Sequence, residues 1–253
     1  MLSLNAWLNL FSHLPRGVRV PVARWAVNRA INHYAQLVAE GTENIPDTPV
    51  IFICNHLSNA DGLILNKVLS RKREVVFLAG VKLQTSPVTR IAMETISTIP
   101  IQPNSPDRQA IKQAVNTLES GRSILIFPEG GRSRTGRLIR GKPGVVLIAK
   151  KAGVPIVPVG LQGTEILLPI DDRNMGGEKL HRAKVEVRVG KPFSLADLGG
   201  LARLQEPVER QGEEADKATE GRRNDETDKA ALVDAMMLRI AALLDPEYRG
   251  EYA

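Results

Sequence analysis

Val50-Ile51-Phe52-Ile53-Cys54-Asn55-His56-Leu57-Ser58-Asn59-Ala60-Asp61-Gly62 sets an unbroken apolar run against a polar loop. A run of this kind is the pattern of a strand buried on both faces, as in a parallel sheet. Chemistry in open α/β sheets gathers where such strands end, so the loop after Cys54 is placed to carry His56 and, five residues on, Asp61. On one helix that separation would turn the two side chains roughly 140° apart, because each residue advances about 100°. The following helix is therefore expected to begin at Ser58 or Asn59, either a good N-cap, with His56 folding back toward the turn that carries Asp61. An aspartate that accepts from one ring nitrogen fixes the tautomer and leaves the other nitrogen to take a proton. Alone, the pair also fits a plain capped helix start.

Strand and helix patterns alternate downstream. Strands are expected at 75–78, 96–101, 123–127, 156–159 and 184–189, and helices at 88–94, 108–120 and 143–152, the last with Pro143 at its first position. The expected class is α/β, a mostly parallel central sheet flanked by helices, preceded by an N-terminal amphipathic helical pair. Four regions follow: membrane-interface helices over 1–40, the α/β domain over 41–202, a charged linker over 203–228, and over 229–253 a helix and tail that pack on the core. The linker is read from its content, since Leu204 and Val208 are its only large apolar residues before the final helix.

At 253 residues and 43% hydrophobic content the chain suits one large core. The single cysteine, Cys54, excludes an intramolecular disulfide and reads as a small strand hydrophobe, and no His/Cys cluster has metal-ligand spacing. The formal charge of +6 is unevenly placed. Residues 1–39 hold Arg16, Arg19, Arg24, Arg29, Trp7 and Trp25 and no acidic residue. Leu4, Trp7, Leu8 and Phe11 form one apolar face; Val20, Val27, Ile31, Tyr34 and Val38 form a second, with Val18, Val22 and Trp25 opposite. One stripe can pack on the protein while the other meets lipid, at about 1 kcal/mol for each arginine near an anionic leaflet. No stretch approaches the roughly 20 apolar residues a crossing requires, and the start lacks the pattern of a signal peptide. The expected location is therefore the cytoplasmic face of the cell membrane, peripheral or monotopic, with no nucleic-acid partner.

A second polar loop follows the strand ending at 127: Phe127-Pro128-Glu129-Gly130-Gly131-Arg132-Ser133. Paired glycines let a backbone approach a ligand closely, and an adjacent arginine offers a planar fork to phosphate or carboxylate. Glu129 is placed to position Arg132 or a substrate hydroxyl. Gly136-Arg137-Leu138-Ile139-Arg140-Gly141-Lys142-Pro143 has the glycine and lysine spacing of a nucleotide-phosphate loop, but proline replaces the hydroxyl residue that would hold magnesium. No Gly-x-Ser-x-Gly elbow is present, which argues against a serine hydrolase.

The joint occurrence of Asn55-His56-x4-Asp61 and, some seventy residues on, Phe127-Pro128-Glu129-Gly130-x-Arg132-Ser133 resembles the glycerolipid acyltransferases, specifically the bacterial 1-acylglycerol-3-phosphate acyltransferases. Val154-Pro155-Ile156-Val157-Pro158-Val159 looks like that family's fourth block, and Pro246-Glu247-Tyr248-Arg249-Gly250 is similar to its usual tail. The resemblance implies acyl transfer from a thioester of acyl carrier protein or coenzyme A to a lysophosphatidic acid hydroxyl, with no metal and no cofactor. His56 and Asp61 would then be the base and its orienter, Lys82 and the Gly130 amide donors to the oxyanion, and Asn55, Glu129, Gly131, Arg132 and Ser133 the substrate-binding set. Where the family's second block usually ends in arginine, this chain reads Ile99-Pro100-Ile101-Gln102-Pro103, so Arg108 is the expected substitute. That departure leaves another lysolipid or glycolipid acceptor, or a non-catalytic membrane-surface module, as alternatives.

Overall fold

The computed structural model describes residues 11, 13–80, 87–101, 107–171, 178–198 and 217–253. Its sheet has seven strands: β1 (Ala35–Glu40), β2 (Ile51–Cys54), β3 (Val75–Gly80), β4 (Ser97–Ile101), β5 (Ser123–Ile126), β6 (Ile156–Gln162) and β7 (Ala183–Val189). The order across the sheet is β1-β7-β6-β2-β5-β3-β4. The five strands from β6 to β4 are parallel, whereas β7 is antiparallel to β6 and takes β1 along its other side in parallel. The helices are α1 (Arg16–Tyr34), α2 (Asp61–Leu69), α3 (Pro87–Met93), α4 (Arg108–Glu119), α5 (Gly144–Ala152), α6 (Thr164–Leu167) and α7 (Lys217–Ala241). This is the expected α/β class, a mostly parallel sheet between helical layers.

Strand β2 lies mid-sheet and explains its own composition. Ile51 and Ile53 enter the core formed with α4, α5 and α7, while Phe52 and Cys54 enter the core on the side of α1 and α2. None of the four has any exposed surface. A strand covered on both faces has no place for a polar alternation, so its run stays apolar. Burial pushes the Cys54 thiol well above its ordinary pKa, with the nearby Asp61 and Glu129 carboxyls adding to the effect, so it packs as a hydrophobe.

Two boundaries differ from the sequence expectation. The N-terminal helical region does not reach Glu40: α1 stops at Tyr34, and Ala35–Glu40 pair with β7 from Ala183 to Arg188. Without β1, β7 would carry an open edge, and pairing satisfies those backbone groups. The helical spacing of Val27, Ile31 and Tyr34 runs into Val38 by coincidence, because in β1 it is Ala35 and Leu37 that pack on the core. The linker expected over 203–228 is also shorter, since α7 begins at Lys217 inside the charged stretch, while residues 199–216 lie outside the described ones. Lys, Ala, Glu and Arg favour helix without needing a core; Val233, Met236, Met237 and Ile240 then bury the later turns. A smaller shift is Pro143, which sits at the N-cap of α5 rather than at its first position.

Helix α1 packs on the same side of the sheet as α2. Its C-terminal end abuts β1, Asn28 accepts from Lys67 Nζ at 3.2 Å near the end of α2, and Arg19 pairs with Glu94 at 2.7 Å ahead of β4. Arg24 donates to the Thr95 carbonyl at 3.4 Å. Ile31 is buried, whereas Val18, Val22 and Trp25 are 53%, 46% and 67% exposed, so the two stripes face protein and solvent respectively. The four arginines are not equivalent, because Arg19 and Arg24 turn toward the protein and Arg16 and Arg29 stay exposed. The first helix of the expected pair, with Leu4, Trp7 and Leu8, lies outside the described residues.

Candidate active site

Both polar loops leave the same edge of the sheet, from the C-terminal ends of the adjacent strands β2 and β5. Asp61 opens α2, and Ala60, with no side-chain cap, occupies the N-cap position expected for Ser58 or Asn59. Those two side chains are used elsewhere. Ser58 Oγ donates to the Leu168 carbonyl at 2.7 Å and accepts from Ala60 N at 3.1 Å, and Asn59 Nδ2 donates to Glu178 Oε1 at 2.7 Å. Asp61 itself ties the loop: its Oδ2 accepts from Leu57 N at 2.6 Å, from Ser58 N at 2.9 Å and from His56 Nδ1 at 2.7 Å. That convergence is possible only because the helix starts at Asp61 rather than before it.

The His56 ring is fixed from two directions. Asp61, with no exposed surface, holds Nδ1, and the Phe127 ring stacks on the imidazole at 4.0 Å with a 15° interplanar angle. Nε2 is thereby the nitrogen left to exchange a proton with a ligand, and the side chain keeps 19% exposure through which to do so. Asp61 Oδ1 is buried with no hydrogen-bond partner among the described residues. A buried carboxylate is costly unless it is paired, so a proton arriving on the ring finds its counter-charge already in place.

Glu129 joins the two loops. Its Oε1 accepts from His56 N at 2.7 Å and its Oε2 from Ile139 N at 3.1 Å, with 2% of the residue exposed. Burial pushes its pKa up to about 8; the two amide bonds pull the other way, and Asp61 adds to the rise. Ser133 completes the join: its amide donates to the His56 carbonyl at 2.8 Å, and its Oγ accepts from Arg137 N at 3.2 Å.

Several expected substrate contacts therefore turn out to be internal. Glu129 and Ser133 are buried in the loop junction. Asn55, 1% exposed, spends both ends of its amide on Leu161 of β6, donating to its carbonyl at 2.6 Å and accepting from its amide at 2.8 Å. A side chain so engaged positions strands rather than substrate. Gly130 has φ +67°, which favours glycine, and its amide, the expected oxyanion donor, donates to the Phe127 carbonyl at 3.0 Å within the turn. Gly131 is exposed with open space at its β-carbon position, so a side chain could be carried there. Arg132 is half-buried beside it and belongs to the same loop. Arg108 is exposed at the start of α4, which follows the C-terminal end of the edge strand β4, three strands from β2. Lys82 lies outside the described residues.

Lys142 brings to the site a cation that its sequence context does not mark. Lys142 bonds its amide to the Pro128 carbonyl at 2.8 Å, and a β-carbon on Gly130 would fall 3.0 Å from Lys142 Nζ. Its ammonium thus lies against the Gly130 turn. The signal was its distance in chain from Glu129, which only the return of residues 138–142 to the loop makes short. No group of three His, Cys, Asp or Glu side chains able to hold a metal occurs among the described residues.

Comparison with known proteins places the chain in a family. The family model described as Acyltransferase matches residues 36–162, from β1 to the end of β6. A chloroplastic 1-acyl-sn-glycerol-3-phosphate acyltransferase of Brassica napus is 30% identical over 78% of this chain and 57% of its own length. Its counterpart in Arabidopsis thaliana is 30% identical over 68% of this chain and 48% of its own. The chain thus spans about half the length of these curated relatives. The crystal structure of the Thermotoga maritima 1-acyl-sn-glycerophosphate acyltransferase superposes with a TM-score of 0.52 at 22% identity, covering 90% of this chain and 87% of that one, which shows a shared fold. With half of its residues matched by one family model, spanning both polar loops, this chain belongs to the acyltransferase family.

Proposed function

We propose that the protein transfers a fatty acyl group from an acyl thioester to the free hydroxyl of 1-acylglycerol-3-phosphate, giving phosphatidic acid. The observation that carries the reading is the His56–Asp61 pair, closed at 2.7 Å and braced by Glu129 at the sheet edge. His56 Nε2 takes the hydroxyl proton as the acceptor oxygen attacks the thioester carbonyl carbon, so a C–O bond forms and the carbonyl becomes an oxyanion. The tetrahedral species collapses, the C–S bond breaks, and the proton passes from the imidazolium to the departing thiolate. The products are an ester and a free thiol, and no acyl-enzyme is required because the acceptor is the nucleophile. Arg132 and Lys142 supply the cationic surface for the acceptor phosphate. The donor is an acyl carrier protein or coenzyme A thioester, with no further cofactor.

The same reading puts the protein on the cytoplasmic face of the cell membrane, where its lipid substrate resides. Among the described residues no helix is long and apolar enough to cross a membrane. The exposed Val18, Val22 and Trp25 of α1, flanked by Arg16 and Arg29, instead suit a helix resting in the interface. Incubation of the purified protein with labelled acyl thioester and a panel of lysolipids, products separated by head group, tests the assignment. Label appearing in phosphatidic acid supports it. Label in another head group moves the acceptor, and none in any lipid favours a binding module.

A further inference from the structure

The segment 246–252 contacts neither His56 nor Asp61 directly, yet its hydrogen bonds lead to them. The Tyr248 carbonyl accepts from Leu138 N at 2.8 Å, and Glu251 N donates to the Leu138 carbonyl at 3.3 Å, so the segment takes both backbone groups of one buried residue. The next residue, Ile139, donates its amide to Glu129 Oε2 at 3.1 Å, and Glu129 Oε1 accepts from His56 N at 2.7 Å. Two residues further, Gly141 N donates to Tyr252 Oη at 3.3 Å, and that hydroxyl donates to Asp234 Oδ1 of α7 at 2.9 Å. Tyr248 Oη donates to Glu165 Oε1 of α6 at 2.7 Å, and burial together with that carboxylate keeps the phenol protonated as a donor. The fit at the centre is tight. Gly250 has φ +53°, and a β-carbon there would fall 2.1 Å from the Leu138 carbonyl oxygen.

We infer that residues 246–252 form a positioning clamp for the acyl-transfer site. They hold Leu138–Ile139 against Glu129, and through Glu129 they fix the backbone of His56. A carboxyl group accepting from two loops can set the place of one only if the other is anchored, and Ile139 has its anchor in the clamp. The same hold reaches Lys142, whose amide bonds to Pro128 in the Glu129 loop at 2.8 Å. The inference rests on the proposed acyl transfer, since it assigns the clamp to turnover at that site.

The test is a double-mutant cycle between Gly250→Ala and Glu129→Gln, with thioester turnover on lysophosphatidic acid and backbone hydrogen exchange as readouts. Gly250→Ala forces the segment off Leu138 and is expected to lower kcat by about tenfold with KM for both substrates within about twofold, as misplacement of a base does. In the Glu129→Gln background the same change should cost less than about twofold, because the link is already weakened. Exchange in peptides covering 55–61 should quicken while that of β5 and β6 is unchanged. Tyr248→Phe, which removes only the bond to Glu165, is the milder variant, expected to cost about threefold in kcat. Additive effects in the cycle, or unchanged exchange at 55–61 in both clamp variants, would overturn the clamp. If the unaltered protein forms no phosphatidic acid, the functional reading fails instead, and the exchange data still decide whether the segment fixes the His56 loop.

Discussion

The sheet edge that holds His56 and the helix α1 that packs on one face of the sheet are built on opposite terms. At the edge the carboxyl groups are tied into the backbone: Asp61 Oδ2 takes three hydrogen bonds of 2.6 to 2.9 Å, and Glu129 takes one from each of two loops. Along α1, Val18, Val22 and Trp25 present roughly half or more of their surface to solvent. Proton transfer demands a base held in one place and orientation, so its surroundings are over-determined. Contact with a fluid interface needs only area and charge, which tolerate sliding and rotation. Substitutions at the edge should therefore act on turnover and those on α1 on partition.

The largest effect is expected at the base. His56→Ala should lower kcat by about 1,000-fold while the thermal midpoint stays close to that of the unaltered protein, measured by thioester consumption and calorimetry. Arg132→Ala should cut kcat/KM for the acceptor by about tenfold and leave the donor KM in place. An equal loss for both substrates would remove Arg132 from the phosphate site and blur the division between the two regions.

Glu129→Gln should act on the pH dependence of stability. Burial raises the folded pKa of Glu129 from 4.5 to about 8, so between those values the folded state keeps a proton that the unfolded state releases. Stability from this group is full below about pH 4.5 and is lost as pH rises toward 8. The glutamine variant should thus show a smaller fall in thermal midpoint between pH 5.5 and pH 8.5 than the unaltered chain, in roughly the window that linkage assigns to the carboxyl. The smallest effect on chemistry belongs to α1. Val22→Ser with Trp25→Ser should reduce co-sedimentation with anionic vesicles severalfold and leave turnover of a soluble short-chain acceptor within about twofold. A comparable loss in both assays would mean that α1 also shapes the site.

Much of the edge was legible in the sequence because its chemistry sits in short contiguous runs. The run at 50–54 could only be a doubly covered strand, and His56 with Asp61 follows it directly. What stayed hidden depends on partners distant in the chain. Ala35–Glu40 became a strand because β7, some 150 residues later, offers it an edge. Asn55 and Ser133 read as ligand contacts until Leu161 and the His56 carbonyl were found to occupy them. Glycine at 130 was correctly read as a turn, but only coordinates show that its amide closes that turn on Phe127. Lys142 escapes a sequence reading for the same reason, since residues 138–142 return to the Glu129 loop through backbone bonds that composition does not encode.

The central claim, that His56 passes a proton from the acceptor and that the acyl group never rests on the protein, is met most directly by rapid mixing with labelled acyl thioester. In the absence of acceptor the account predicts no early release of thiol and no labelled protein after acid quench. With lysophosphatidic acid present, thiol and phosphatidic acid should rise together, one for one. A burst of thiol equal to the enzyme concentration, with label retained on the chain, would contradict it.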